Sequence, residues 1–117
     1  MRLSADERLF VNPDHLQYAQ DSLNEFIYSA IQRHADSGSY VYRFFIDDAT
    51  IRSALGLTRA VKASVLDDYV NFFNSKGVEA VEAYGSVNVT LNLNSVSLNP
   101  QQAAALNVAM SEHRMNS

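Results

Sequence analysis

Two spacings of apolar residues organise this chain. From residue 13 onward, Leu16, Ala19, Leu23, Phe26, Ile27, Ala30 and Ile31 recur every three or four positions, which lays them along one face of a helix. Gln17, Gln20, Asp21, Asn24 and Arg33 take the other face. Asn12-Pro13 marks its start, since an Asn side chain accepts from an orphan backbone N–H and a proline costs no hydrogen bond at the first helical position. Asp36-Ser37-Gly38 marks its end. The other spacing is a period of two: Val87, Val89, Leu91 and Leu93 alternate with Asn88, Thr90 and Asn92, as in a strand with one face buried.

The remaining elements follow from similar signals. Residues 40–46 are aromatic and β-branched and read as a strand. Asp47-Asp48 stops it, and either acid can cap a short helix over residues 49–55. Gly56-Leu57-Thr58 predicts a tight break with Thr58 as the next N-cap. A helix over residues 59–75 then buries Val61, Val65, Leu66, Tyr69, Val70, Phe72 and Phe73, and ends at Lys76-Gly77, where glycine suits the left-handed position. Residues 78–83 and 87–93 form a hairpin around Tyr84-Gly85-Ser86. Asn99-Pro100 starts a last, alanine-rich helix to about Glu112. The expectation is one α+β domain over residues 1–117: an N-terminal arm (1–12), a core (13–93) of small antiparallel sheet packed against helices, and a C-terminal helix (99–113).

The order α-β-α-α-β-β-α resembles the winged-helix branch of the helix-turn-helix domains. The local piece that carries the resemblance is Ile51-Arg52-Ser53-Ala54-Leu55-Gly56-Leu57-Thr58-Arg59. It implies that Ala54 and Leu55 pack the first helix, Gly56 permits the turn, Thr58 starts a recognition helix, and residues 78–93 form the wing. It further implies DNA as a partner. Arg52, Arg59, Lys62 and Lys76 would form the nucleic-acid edge, with Asn71, Asn88 and Asn92 able to hydrogen-bond to bases. Two features depart from that pattern. Asp67 on the exposed side of the recognition helix would repel phosphate, and the wing carries no Lys or Arg.

Charge sharpens the contrast. The net charge of −4 is unlike the basic stripe of a typical nucleic-acid binder. Only residues 51–76 lean positive, with four cations against Asp67 and Asp68. No apolar run approaches the ~20 residues of a membrane span, and the first ten residues hold no apolar stretch suited to a secretory signal, so a cytoplasmic, soluble protein with no membrane partner is expected. With no cysteine, thiolate catalysis and cysteine metal sites are excluded. His15, His34 and His113 share no ligand spacing and read as solvated helix-end residues, so no metal or cofactor is expected. No glycine-rich phosphate loop and no catalytic serine motif appears, and the expected protein is not an enzyme.

The strand at residues 40–46 carries the densest aromatic cluster. Tyr40, Tyr42 and Phe44 fall on one face, and Val41, Arg43 and Phe45 on the other. Such a strand calls for cover on both sides, from helices or from a partner chain. Tyr40, Tyr42 and Phe45 are therefore candidate partner-binding residues, and a homodimer is expected through the Arg43 side. Two functions fit these observations. One is a non-enzymatic winged-helix-like regulator associated with nucleic acid in transcription or replication complexes. The alternative is an acidic inhibitor or assembly factor, of the phage type, that uses Asp47, Asp48, Asp67 and Asp68 to occupy a basic surface on a nucleic-acid-handling protein.

Overall fold

The structure, a computed structural model, describes residues 5–116. Its order is α1 (Ala5–Leu9), α2 (Pro13–Ser37), β1 (Val41–Asp47), α3 (Asp48–Leu55), α4 (Ala63–Ser75), β2 (Glu79–Ala83), β3 (Ser86–Asn92) and α5 (Pro100–Asn116). The class is α+β, with one antiparallel sheet in the order β1-β3-β2. That arrangement is compatible with a winged-helix-like fold.

Local signals place the elements as their chemistry requires. The Asn12 side chain accepts from Asp14 N–H at 2.8 Å and opens α2. Asp47 accepts from Thr50 N–H at 2.7 Å and opens α3. Asn99 and Gln102 cap α5 reciprocally, each side chain accepting the other's backbone N–H, at 2.8 and 3.0 Å, which satisfies two otherwise orphaned donors. At the end of α4, Val78 N–H reaches the Phe73 carbonyl and Gly77 N–H the Asn74 carbonyl, the double closure that a left-handed Gly77 makes available.

One face of the sheet is covered. Val87, Val89 and Leu91 are buried beneath α4 and α2, joined by Ile27, Ile51, Tyr69, Phe72 and Phe73. Phe44 stacks on Phe26 of α2 at 4.5 Å. The opposite face is open: Val41, Phe45 and Val81 are all exposed. The C-terminal helix does not cover it, because α5 packs along α2, where Gln102 donates to Asn24 at 2.9 Å. The aromatic strand is thus covered on one side only.

Four expectations are corrected. Of the arm at residues 1–12, residues 1–4 lie outside the described residues, but 5–9 form α1 and Phe10 is buried in the core, edge-on to Tyr69 at 5.1 Å. The break after α3 is a seven-residue connection, 56–62, rather than a tight turn, and Thr58 caps nothing. Within it the Val61 N–H, which would be an orphan amide in the first turn of a helix begun at residue 59, is taken by the Asp48 carboxylate at 2.6 Å. Ala54 is exposed, whereas Leu55 packs half-buried against the core as expected, and Ile51 is the fully buried residue of α3. Finally, the hairpin turn is Tyr84-Gly85 alone, both at positive φ, which matches the strand twist, and Ser86 belongs to β3.

Candidate binding surfaces

The four expected cations do not form one edge. Arg52 lies against Asp48, Nε to Oδ2 at 3.1 Å, one turn away on α3. Lys76 Nζ donates to Asp6 of α1 at 2.9 Å and sits 5.6 Å from the centre of the Phe72 ring. Both charges are spent inside the chain. Arg59 and Lys62 remain, exposed on the 56–62 connection and without an ion pair among the described residues. Neither lies within α4.

The expected acids divide the same way. Asp47 caps α3, and its hydrogen bonds with Thr50 hold its carboxyl below the usual range. Asp48 binds Arg52 and the Val61 amide. Asp67 is exposed, while Asp68 is half-buried, and that burial, with Asp67 beside it, raises its pKa. Tyr40 and Tyr42 face α2 rather than open space. The Tyr40 ring lies 4.5 Å from His34, and the Tyr42 hydroxyl shares a 2.7 Å hydrogen bond with Ser37. Of the aromatic partner candidates only Phe45 is open.

A groove of about 670 Å³ brings Arg59, Lys62 and Asp68 together. It runs between the α1–α2 turn and the 56–62 connection. Its apolar lining comes from Phe10, Val11, Leu57, Val61 and Val65, and its volume falls in the range of ligand-binding clefts. The sequence hid this surface. Leu57 stands in a segment read as a tight break and Val61 in one read as helix, whereas both lie on the 56–62 connection, half-buried against the core and lining the groove.

His15 lies on the groove's inner wall, and its Nδ1 shares a 2.7 Å hydrogen bond with the buried Tyr69 hydroxyl. His15 and His34 are buried, not solvated as expected, and His34 pairs with the Ser39 carbonyl at 2.7 Å. His113 lies 5.8 Å from His34, ring to ring, yet no group of three or more potential metal ligands forms among the described residues. Burial keeps the Tyr69 phenol neutral by pushing its pKa far up. Burial also lowers the His15 pKa below 6.5, with Asp14 and Asp68 acting against it.

A histidine with a lowered folded pKa binds its proton less readily in the native state. Its contribution to stability is complete above about pH 6.5 and is lost as pH falls through the folded value. The melting temperature is therefore expected to drop as the pH falls below about 6.5. In His15→Asn, whose amide carbonyl can still accept from Tyr69, the drop should be smaller. Equal drops in both proteins would show that His15 is not the group responsible.

No helix among the described residues is long and apolar enough to cross a membrane. The chain matches no protein-family model, no curated protein and no solved structure.

Proposed function

We propose that this chain is a non-enzymatic, winged-helix-like binding module whose groove beside α4 docks an apolar, carboxylate-bearing segment of a partner protein. The observation that carries this reading is the pairing of an apolar lining with two cations, Arg59 and Lys62, that no carboxylate in the chain engages among the described residues. The lining supplies area removed from water. The cations select a partner with carboxylates beside its apolar face and penalise one with lysines there. Arg59, Lys62 and Asp68 carry over from the residues singled out in the sequence; the apolar lining joins them.

A second reading keeps nucleic acid as the partner. The Lys62 side chain makes no capping bond at the start of α4, so the first amides of that helix, with Arg59 and Lys62 beside them, suit a phosphate oxygen. Two phosphate contacts give a shallow salt dependence and weak binding.

One titration distinguishes the readings. Isotope-labelled protein is titrated with three helical peptides sharing one apolar face, flanked by Glu, Gln or Lys, and separately with a short DNA duplex. The Glu peptide is expected to shift amides of residues 10–12 and 57–65, and Arg59→Glu with Lys62→Glu to weaken it about tenfold or more. Equal binding of the Lys peptide, or no shift with any peptide at about 1 mM, would overturn the docking reading. Duplex binding with a log–log salt slope of about −2, with shifts confined to residues 59–66, would establish nucleic acid instead.

A further inference from the structure

The open face of the sheet has an internal order that the groove does not share. Strand register sets its side chains in rows. Arg43 and Glu79 both pair with Thr90, and Phe45 and Val81 both pair with Asn88. One row thus runs from a cation on β1 through a hydroxyl to a carboxylate on β2. The next runs from a large ring through an amide to a small aliphatic side chain. Phe45 and Val81 are 66% and 57% exposed, and neither Arg43 nor Glu79 makes an ion pair among the described residues.

We infer that a second copy of this chain covers the face, with the twofold axis lying between the two sheets and parallel to β3. A half-turn about that direction exchanges the β1 and β2 edges and keeps every row at its level. Arg43 then stands opposite the partner subunit's Glu79, and Phe45 opposite the partner subunit's Val81, twice over by symmetry. Along the axis Thr90 and Asn88 meet their own copies. A hydroxyl and an amide each carry donor and acceptor, so each can satisfy its counterpart.

The other twofold placements are worse. An axis across the strands sets β1 against β1, so Arg43 meets either itself or Phe45, and Glu79 meets itself or Val81. An axis normal to the sheet cannot bring the two faces together. Sheets packed face to face lie about 10 Å apart with strands within about 30° of alignment, so the rows stay nearly in register near the axis. Two strands of seven residues and one of five, at about 3.4 Å per residue and about 4.8 Å between strands, cover about 310 Å² per copy. The interface therefore sits at or below the low end for specific complexes, about 1,000 Å² in total, and the dimer is expected in the micromolar range. The surface is separate from the groove, so this inference stands apart from the docking proposal.

Sedimentation equilibrium on the full chain tests it. A dimer with a dissociation constant of the order of 10 μM is expected. Phe45→Glu should raise that constant by about thirtyfold or more, and Arg43→Glu or Glu79→Arg alone by about tenfold. The double exchange, Arg43→Glu with Glu79→Arg, should return it to within about threefold of the parent, since each reversed charge again meets its opposite. Arg43 and Glu79 are exposed, so thermal melts should show all the exchange variants folded; if Phe45→Glu melts early, the exchanges decide. A monomer at about 100 μM would overturn the inference. So would a double exchange no tighter than the single ones, which would assign the association to another surface, such as the free edges of β1 or β2.

Discussion

Replacing Phe72 with alanine is expected to lower the unfolding free energy by about 3–5 kcal/mol. The ring is 1% exposed, so the loss combines the transfer of its buried atoms with the cavity they leave. Its neighbours make that cavity hard to close. Phe73 meets it edge-on at 5.5 Å, Phe10 lies 6.2 Å away, and the Lys76 ammonium rests over its face. Through these contacts Phe72 joins α4 to the segment that leads from α1 into α2. A domain of this size holds about 5–15 kcal/mol in total, so the melting temperature should fall by about 10 °C or more. Guanidinium unfolding of the variant checks the value, and a change below about 1 kcal/mol would show that this face of α4 is not core. Phe10→Ala should combine with it less than additively, because the two rings share one cluster.

Gly77→Ala is expected to cost about 2–4 kcal/mol, from two sources that can be separated. Gly77 has a φ of 76°, a region that costs an alanine about 1–2 kcal/mol. A Cβ there would also stand 2.5 Å from the Ser95 carbonyl oxygen. That oxygen belongs to backbone pinned on both sides: Ser95 N–H donates to Asn92 and Ser97 N–H donates to Lys76. Gly56 supplies the control. Its φ is 66°, but a Cβ would meet nothing within 4 Å, so Gly56→Ala should cost only the backbone part, about 1–2 kcal/mol. Equal losses in urea unfolding would show that the approach of residue 95 to residue 77 carries no energy.

Most of the secondary structure was legible in the chain because its causes are local. The stripe from Leu16 to Ile31, the alternation from Val87 to Leu93, the caps at Asn12, Asp47 and Asn99, and the left-handed Gly77 all act within about one helical turn or one strand pair. The burial of His15 and His34 has the same local cause. Both stand on the stripe that holds Ala19, Leu23, Ile27 and Ala30, and an imidazole on an apolar face is buried when a partner such as Tyr69 or the Ser39 carbonyl awaits it.

The candidate surfaces were less legible, because contacts between distant residues decide them. Arg52 and Lys76 looked like free cations until Asp48 and, seventy residues away, Asp6 were placed beside them. Helix α4 begins at residue 63 rather than 59, and the Val61 amide is held by Asp48, thirteen residues back, a contact that no propensity of residues 59–62 reports. On its own, then, the sequence determined the kinds of elements, their order and the two faces of each strand, since side-chain period and capping chemistry belong to neighbouring residues. Only the tertiary structure decided which sheet face stays open and which charges are spent. Burial and ion pairing depend on where α2, α4 and α5 come to rest, and that is settled by the whole core at once.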